Sequence, residues 1–485
     1  NPPVKFTEMA YVTIRNVTIR NTNVGRCVEF VGKYSHDITI DNCDIQGVTS
    51  TATPYYNSTA IGRISTAAPF TSGGSGDRDM HFTNNTISGV NFGLYFTGTT
   101  NNAYKEDNFE VNGNTINCTV TGINAIQAKR WTINGNRINQ MATAADMDFK
   151  GVALQNCTDF ASISANKIHM NQRGGTGIAT TTYAGSNASA PNMMMANNEI
   201  IGKVTVTARY NINLQNTKQV NLYHNSSYMY SPTDITQSAP LYITGSSSST
   251  NNINVYNNIF YNASTSAENK NYAIYLNYTT ANALATTIKL DYNEYYSVGT
   301  SLGWFVAPRN NFAEWQNALA SRGEDVNSVS MPLGFVSTTD SLMPIAFEGL
   351  ECEPVTGVTT DIRGAQRYNF ITYMGCYTRA IPATDLAITE LTSPVLGNEC
   401  PSAQYPIKVM VKNTGSANLN FATKPTTIYY TIGTTTGSMT VTSGTIAPLQ
   451  SQEVTVVPNF PVNINTIYNY MFVVRVNGDN NTLND

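Results

Sequence analysis

The chain has 485 residues, a formal net charge of −4 and no basic cluster, so nucleic acid is excluded as an expected partner. No apolar run approaches the roughly 18 residues that a membrane-spanning segment needs. Charged residues make up 12% of the chain, while the 41% that are apolar arrive in short periodic runs, which points to a folded all-β protein with an Asn, Thr and Ser surface rather than to disorder.

The first residues, Asn1-Pro-Pro-Val, are neither a start Met nor a signal peptide, so the sequence reads as a mature protein or a piece of a longer chain. One unit then recurs over the first three hundred residues. It is clearest in Phe109-Glu-Val-Asn-Gly-Asn-Thr-Ile and Trp131-Thr-Ile-Asn-Gly-Asn-Arg-Ile. The closing apolar position falls at Ile19, Ile45, Ile87, Ile116, Ile138, Ile168, Ile200, Ser227, Phe260 and Tyr295, with Ser227 the one polar member. Five residues before each stand Ile14, Ile40, Phe82, Val111, Ile133, Ile163, Met195, Leu222, Val255 and Leu290, and two before those a further apolar or small residue. Period-two alternation is the signature of a half-buried strand, whereas a helix would need spacings of three and four.

Two residues before the closing position stands Asn85, Asn114, Asn136, Asn166, Asn198, Asn225, Asn258 or Asn293, with Val17 and Cys43 in the first two units. Asn tolerates the left-handed conformation of a sharp corner, and stacked units about 4.8 Å apart let successive amides hydrogen-bond into a ladder. A second strand precedes each unit, as in Cys27–Val31, Gly93–Thr97, Asn124–Gln127, Val152–Gln155, Ile212–Gln215, Leu241–Thr244 and Ala273–Asn277. Gln127, Gln155 and Gln215 are expected to form a shorter amide column. The longest insertions are expected as loops around 46–79, 172–192 and 228–240, rich in Gly, Ser and Tyr.

Beyond Tyr296 the pattern stops. Asn311-Phe-Ala-Glu-Trp-Gln-Asn-Ala-Leu predicts a short capping helix with Asn311 as N-cap and Gly323 past the end. Residues 384–485 carry alternating runs separated by turns such as Lys412-Asn-Thr-Gly and predict a separate β-sandwich.

Three strands per turn, about 22 to 35 residues per turn and an Asn corner resemble the right-handed parallel β-helix shared by polysaccharide lyases, pectin-degrading hydrolases and bacterial surface adhesins. The resemblance covers roughly residues 4–300 and implies a fold rather than one activity. Ala313-Glu-Trp-Gln, Met331-Pro-Leu-Gly-Phe-Val and Asp361-Ile-Arg-Gly-Ala-Gln-Arg resemble the closing segment of large secreted bacterial β-helix proteins, which implies that Asp361, Gly364 and Arg367 seal the last coil. Asp385-Leu-Ala-Ile, Val411-Lys-Asn-Thr-Gly and Asp479-Asn-Asn-Thr-Leu-Asn-Asp resemble adhesion-related immunoglobulin-like modules, which implies further sequence after residue 485. The expected architecture is therefore an all-β chain: a right-handed parallel β-helix of about ten rungs over 1–300, a C-terminal cap over 301–383 and an immunoglobulin-like sandwich over 384–485.

For chemistry, hydrolases on this fold carry paired Asp, Gly-His-Gly and Arg-x-Lys motifs, none of which occurs here. The nearest constellation is Asp146, Asp148 and Lys150, with Arg173, Arg130 and His169 in flanking rungs; scattered surface charge is the competing reading. Tyr95, Tyr242 and Tyr275 fall at comparable outward positions in non-adjacent rungs and offer faces for stacking on sugar rings. Seven cysteines, Cys27, Cys43, Cys118, Cys157, Cys352, Cys376 and Cys400, contain no Cys-x-x-Cys pair, which argues against structural zinc. Cys352 and Cys376 are the pair singled out for a bridge. No cofactor is expected; calcium enters only with a lyase reading.

The expectation is an extracellular, secreted or cell-surface bacterial protein, adhesin-like or glycan-binding, whose partner is a polysaccharide or cell-surface glycan. The alternative is a polysaccharide lyase or glycoside hydrolase working in a groove of the β-helix. Oligomeric state is left open.

Overall fold

A computed structural model describes residues 1–63, 76–99, 105–142, 148–160, 162–172, 174–183, 193–203, 209–231, 237–245, 251–265, 270–278, 288–395, 404–462 and 466–479. The chain forms two compact units, one of residues 1–367 and 371–378, the other of 368–370 and 379–485.

The first unit is a parallel β-solenoid built from three ladders of strands. Strands such as His36–Asp41, Arg78–Thr83, Glu106–Asn112 and Thr132–Asn134 form the first ladder, each parallel to the next. A corner leads to the second ladder, where Ile19, Ile45, Ile87, Ile116, Ile138, Ile168, Ile200, Ser227, Phe260 and Tyr295 are successive register partners. The third ladder includes Arg26–Val31, Thr59–Arg63, Phe149–Gln155, Gly175–Tyr183 and Ser238–Thr244. Thr59–Arg63 and Gly175–Tyr183 lie where loops were expected; their Gly and Thr content hides the alternation. The third ladder also extends past residue 300, because Gly303–Phe305 pairs with Ile274–Asn277.

The inward side chains of all three ladders are sequestered from water in one continuous core, from Phe6 to Leu319. Phe109 stacks on Trp131 at 4.4 Å, and Trp131 on Phe160 at 6.0 Å. Neighbouring rungs supply this burial, so the stability is a property of the stack.

The corner Asn residues form a continuous amide ladder. Asn114 Oδ1 accepts from both Asn85 N and Asn85 Nδ2, and the pattern repeats through Asn136, Asn166, Asn198, Asn225, Asn258 and Asn293. Each Nδ2 also donates to a first-ladder carbonyl, as Asn136 does to Val111 O at 2.7 Å. Cys43 N caps one end by donating to Asn85 Oδ1, and Ser328 Oγ caps the other by accepting from Asn293 N.

The left-handed residue of the corner is not the ladder Asn but the residue before it. Asn84 (φ 55°), Gly113 (69°), Gly135 (66°), Ala165 (56°), Asn197 (55°), His224 (52°), Asn257 (63°) and Tyr292 (51°) occupy that place. The ladder Asn is held for its amide. The expected Gln column does not form, because Gln155 is in register with Ile126 and Thr181, and Thr181 rather than Gln155 meets Gln215.

A column of small residues runs beside the second ladder. Gly93, Gly122, Gly151 and Gly177 stand at equivalent places in the third ladder, and a Cβ on Gly122 would meet Ile138 Cγ2 at 2.5 Å and Gly151 O at 2.6 Å. Where the next rung has Asn211 instead, the second ladder has Ser227 in place of an apolar residue.

Helix α1, Phe312–Leu319, closes the solenoid end. Asn311 Oδ1 accepts from Glu314 N, and Glu314 Oε2 accepts from Asn310 N, a reciprocal cap. Its Trp315 and Leu319 are fully buried, and Trp315 Nε1 donates to the buried Asp325 at 2.8 Å. The chain then returns along the outside of the Asn corner as a strap. The Asp361–Arg367 run belongs to this strap and does not seal the last coil. Arg367 is buried and donates to Asn197 Oδ1, Gly375 O, Tyr373 O and Thr372 Oγ1, stapling the strap to a mid-solenoid corner. Asp361 accepts from Ala365 N and Thr378 N. Burial lowers the Arg367 pKa to about 10.

Cys352 and Cys376 are not bridged. Both are buried free thiols, as are Cys27, Cys43, Cys118 and Cys157. Cys352 faces Thr372 across a two-strand ladder, four residues away from Cys376. Cys400 lies outside the described residues.

The second unit consists of antiparallel sheets. Gln404–Asn413 lies between Leu386–Ser393 and Ser451–Pro461, Thr426–Ile432 lies between Thr435–Val441 and Tyr470–Val476, and Leu419–Asn420 pairs with Thr445–Ile446. Leu386, Val409, Val411, Phe421, Ile428 and Val474 form its core.

Candidate functional site

In the third ladder, the pleat sends Leu241 and Ile274 inward and the next residue outward. Asn213, Tyr242, Tyr275 and Trp304 are therefore successive outward partners, so Tyr242 and Tyr275 occupy adjacent rungs, contrary to the spacing expected from sequence. Tyr242 meets Tyr275 edge-on at 5.2 Å, and Tyr275 meets Trp304 at 5.5 Å. Tyr210 stacks on Tyr242 at 4.0 Å with the rings 10° apart, and Tyr272 joins the group at 5.3 Å from Tyr275. The rings are graded by depth. Tyr242 is 9% exposed and Tyr272 2%, while Tyr210, Tyr275 and Trp304 are half-buried.

Amide side chains surround this surface: Gln237 Nε2 donates to Tyr210 Oη at 2.6 Å, and Asn277 Nδ2 donates to Tyr242 Oη at 2.8 Å. Burial raises the Tyr210 phenol, helped by Tyr242, and pushes Tyr272 up to about 12, so these hydroxyls stay neutral at physiological pH. Tyr95 stands on the same outward column but in a separate cluster, 5.8 Å from Tyr56 and 5.1 Å from Phe92.

Asp146 and Arg173 lie outside the described residues. Asp148 and Lys150 flank the inward Phe149 at the start of a third-ladder strand; Asp148 pairs with Arg209 at 3.5 Å, and Lys150 is in register with Thr121 and Thr176. The other two residues point elsewhere. Arg130 grips Asp107 through two bonds of 2.7 and 2.6 Å, and His169 is buried in the second ladder against Glu199.

His169 belongs to a cluster the sequence did not reveal. Arg137, Lys167 and Glu199 are successive second-ladder partners. The Glu199 carboxylate accepts from His169 Nε2 at 3.1 Å, Leu342 N at 2.8 Å and Tyr377 Oη at 2.6 Å, with Lys167 Nζ at 3.5 Å. Burial pushes Glu199 up, but the bonds from His169 and Tyr377 and the charge of Lys167 hold its pKa below the ordinary value. Its residue types suit acid–base chemistry, yet both carboxylate oxygens are taken and two donors come from the strap. The geometry is that of a clamp. Tyr377 lies 178 positions from Glu199, a distance no motif spans. The readable signal was Lys167 and Glu199 at matching places, one residue past the ladder Asn.

Among the described residues, no group of three or more His, Cys, Asp or Glu is placed to hold a metal. Among the same residues, no helix is long and apolar enough to cross a membrane.

No family model matches this chain, and no curated protein matches it. Among solved structures, it is similar to the A-module of Azotobacter vinelandii mannuronan C-5 epimerase AlgE6, at 11% identity, 69% of this chain, 92% of that one and a TM-score of 0.36. It is also similar to the Dettilon tailspike protein (10% identity, 98% of this chain, 87% of that chain, TM-score 0.30). A third is the enzymatically active domain of bacteriophage CBA120 tailspike protein 2 (10% identity, 98% and 69%, TM-score 0.22). Likeness at this level carries no activity, substrate or partner to this chain.

Proposed function

We propose that this chain is an extracellular, adhesin-like glycan-binding protein whose solenoid presents the surface around Tyr275 and Trp304 to sugar rings. The observation that carries the reading is the run of outward aromatics on consecutive rungs, backed by Tyr210 and bordered by the Gln237 and Asn277 amides. Sugars bind by laying C–H faces on aromatic rings while amides take their hydroxyls. Tyr242 and Tyr272, being buried, brace the surface; Tyr210, Tyr275 and Trp304 offer contact. We read the solenoid as ten right-handed rungs over 1–300, capped over 301–383, with residues 384–485 as an immunoglobulin-like spacer. The antiparallel sheets around Leu386, Val411, Phe421 and Ile428 support that last reading.

A glycan array probed with the intact chain tests the proposal. Ligands found there are expected to lose about ten-fold or more in affinity on combined Tyr275→Ala and Trp304→Ala, with the melting temperature lowered by only a few degrees. An unchanged glycan profile in that variant overturns it. A polysaccharide lyase or glycosidase at Asp148 and Lys150 is the competing proposal. Product absorbance near 235 nm or new reducing ends, abolished by Lys150→Ala, is what that reading requires.

A further inference from the structure

On a different face, the first ladder carries its own outward rings. Tyr223, Tyr256 and Asp291 are successive outward partners. Tyr223 and Tyr256 stack at 5.8 Å with their planes 9° apart. The stack stops at Asp291, whose carboxylate is drawn aside by Asn327 N and Asn327 Nδ2 at 2.8 and 2.9 Å. The space beside Tyr256 and Asp291 is open. It is a cleft of about 330 Å³ between Tyr256, Asp291, Tyr292, Glu353, Pro354 and Val355, the size of the smaller ligand sites.

Acceptors dominate its polar lining. Asp291 and the exposed Glu353 supply carboxylates. Asn257, which also lines the cleft and is 1% exposed, gives its amide hydrogens to His224 Nε2 and Glu353 O and leaves its Oδ1 with no partner among the described residues. Tyr292 holds the corner at φ 51°, a strained conformation for an aromatic residue, and its hydroxyl donates a hydrogen bond to the Glu353 carboxylate. The local field is negative. Burial pushes the Tyr256 phenol up to about 12, and Glu324, Asp291 and Asp325 add to the rise. The cations Arg322 and Lys289 both act on Glu324, Arg322 from 3.9 Å.

We infer that this cleft is a second glycan subsite, in which a donor-rich sugar ring continues the Tyr223–Tyr256 stack and sets its hydroxyls, or best an ammonium group, against Asp291 and Glu353. Its order of preference is amino sugar, then neutral sugar, with uronic acids rejected by like charge. The cleft and the Tyr275–Trp304 surface stand on different ladders, so the two can fail separately.

Titration calorimetry of the intact chain at pH 6 with a glucosamine hexamer, a mannose hexamer and a galacturonic acid hexamer tests the inference. The glucosamine hexamer is expected to bind best and the galacturonic acid hexamer not at all. Glu353→Gln, an isosteric change at an exposed site, should weaken glucosamine binding about ten-fold and bring it close to mannose. Tyr256→Ala should weaken both, while the Tyr275→Ala, Trp304→Ala variant should leave the glucosamine preference intact. Binding of none of the three, preference for galacturonic acid, or glucosamine binding indifferent to Glu353→Gln and Tyr256→Ala overturns the inference.

Discussion

Asn211 Nδ2 donates to Ser227 Oγ at 3.1 Å in the floor of the solenoid, and neither side chain reaches water. The pair replaces the Gly–Ile relation of the rungs before it, Gly122 against Ile138 and Gly151 against Ile168. Asn211 also meets Gly202, where a Cβ would lie 2.1 Å from Asn211 Oδ1. Ser227→Ile alone should therefore cost about 2–4 kcal/mol, from overpacking and from the partner Asn211 loses. Asn211→Gly together with Ser227→Ile restores the arrangement of earlier rungs and should recover at least half of that loss. Urea unfolding of the two singles and the double gives the coupling; additive effects would contradict the exchange.

The amide ladder should be least tolerant in its middle. Asn166→Ala strands two donors on Asn136 and the Ile133 carbonyl, and takes from Asn198 Oδ1 one of its two donors from Asn166, all buried. A loss of about 3 kcal/mol or more is expected, since each buried unsatisfied group costs about 1–3 kcal/mol. Equilibrium denaturation reads it directly.

Corner strain predicts opposite signs for two substitutions. Ala165 holds φ 56°, so Ala165→Gly should be neutral or stabilise by up to about 1 kcal/mol. Gly135→Ala should cost about 1 kcal/mol from conformation alone, because the nearest atom to its Cβ would be Gly113 N at 3.9 Å. Gly113→Ala should cost more, as that Cβ would meet Asn84 Oδ1 at 2.6 Å. Thermal melts of the three place them in order.

Asp325 should make the capped end more stable in mild acid. Burial pushes its carboxyl from the usual 3.8 to about 6, against the opposing bonds from Ser328 and Trp315. The folded state thus holds a proton that the unfolded state releases between about pH 4 and pH 6. Stability falls as pH rises through that window, by on the order of 2–3 kcal/mol, and is level above it. Hydrogen exchange at the amides of α1 measures this, and Asp325→Asn should flatten the profile.

The thiols should be silent. Burial raises Cys27 to about 11 and Cys157 to about 12, and Cys118, Cys352 and Cys376 higher. A thiolate-specific reagent at pH 8 should leave all of these unlabelled in the folded chain and label them in denaturant. Labelling of Cys352 or Cys376 without denaturant would mean that the strap lifts.

The repeat was legible because its cause is local: period-two burial and one Asn per turn are written every 22 to 42 residues. Strands such as Thr59–Arg63 and Gly175–Tyr183 were not, because Gly and Thr are chosen there for what lies beside them in space. The adjacency of Tyr242 and Tyr275 required the register of the ladder, which loops of unequal length conceal. The Glu199–Tyr377 clamp and the Tyr256–Glu353 cleft were beyond reach for a further reason. Each joins the solenoid to a strap that doubles back from its far end, so no sequence spacing encodes it.

The amide ladder has a consequence for how such a protein can change. Register is carried from Asn to Asn and along the ladders, so a segment between strands need not itself position the next rung. A graft of foreign sequence into one of those segments alters a surface without touching the spine. The chain is in this sense a rack, with pegs fixed by eight carboxamides from Asn85 to Asn293 and with shelves of arbitrary depth.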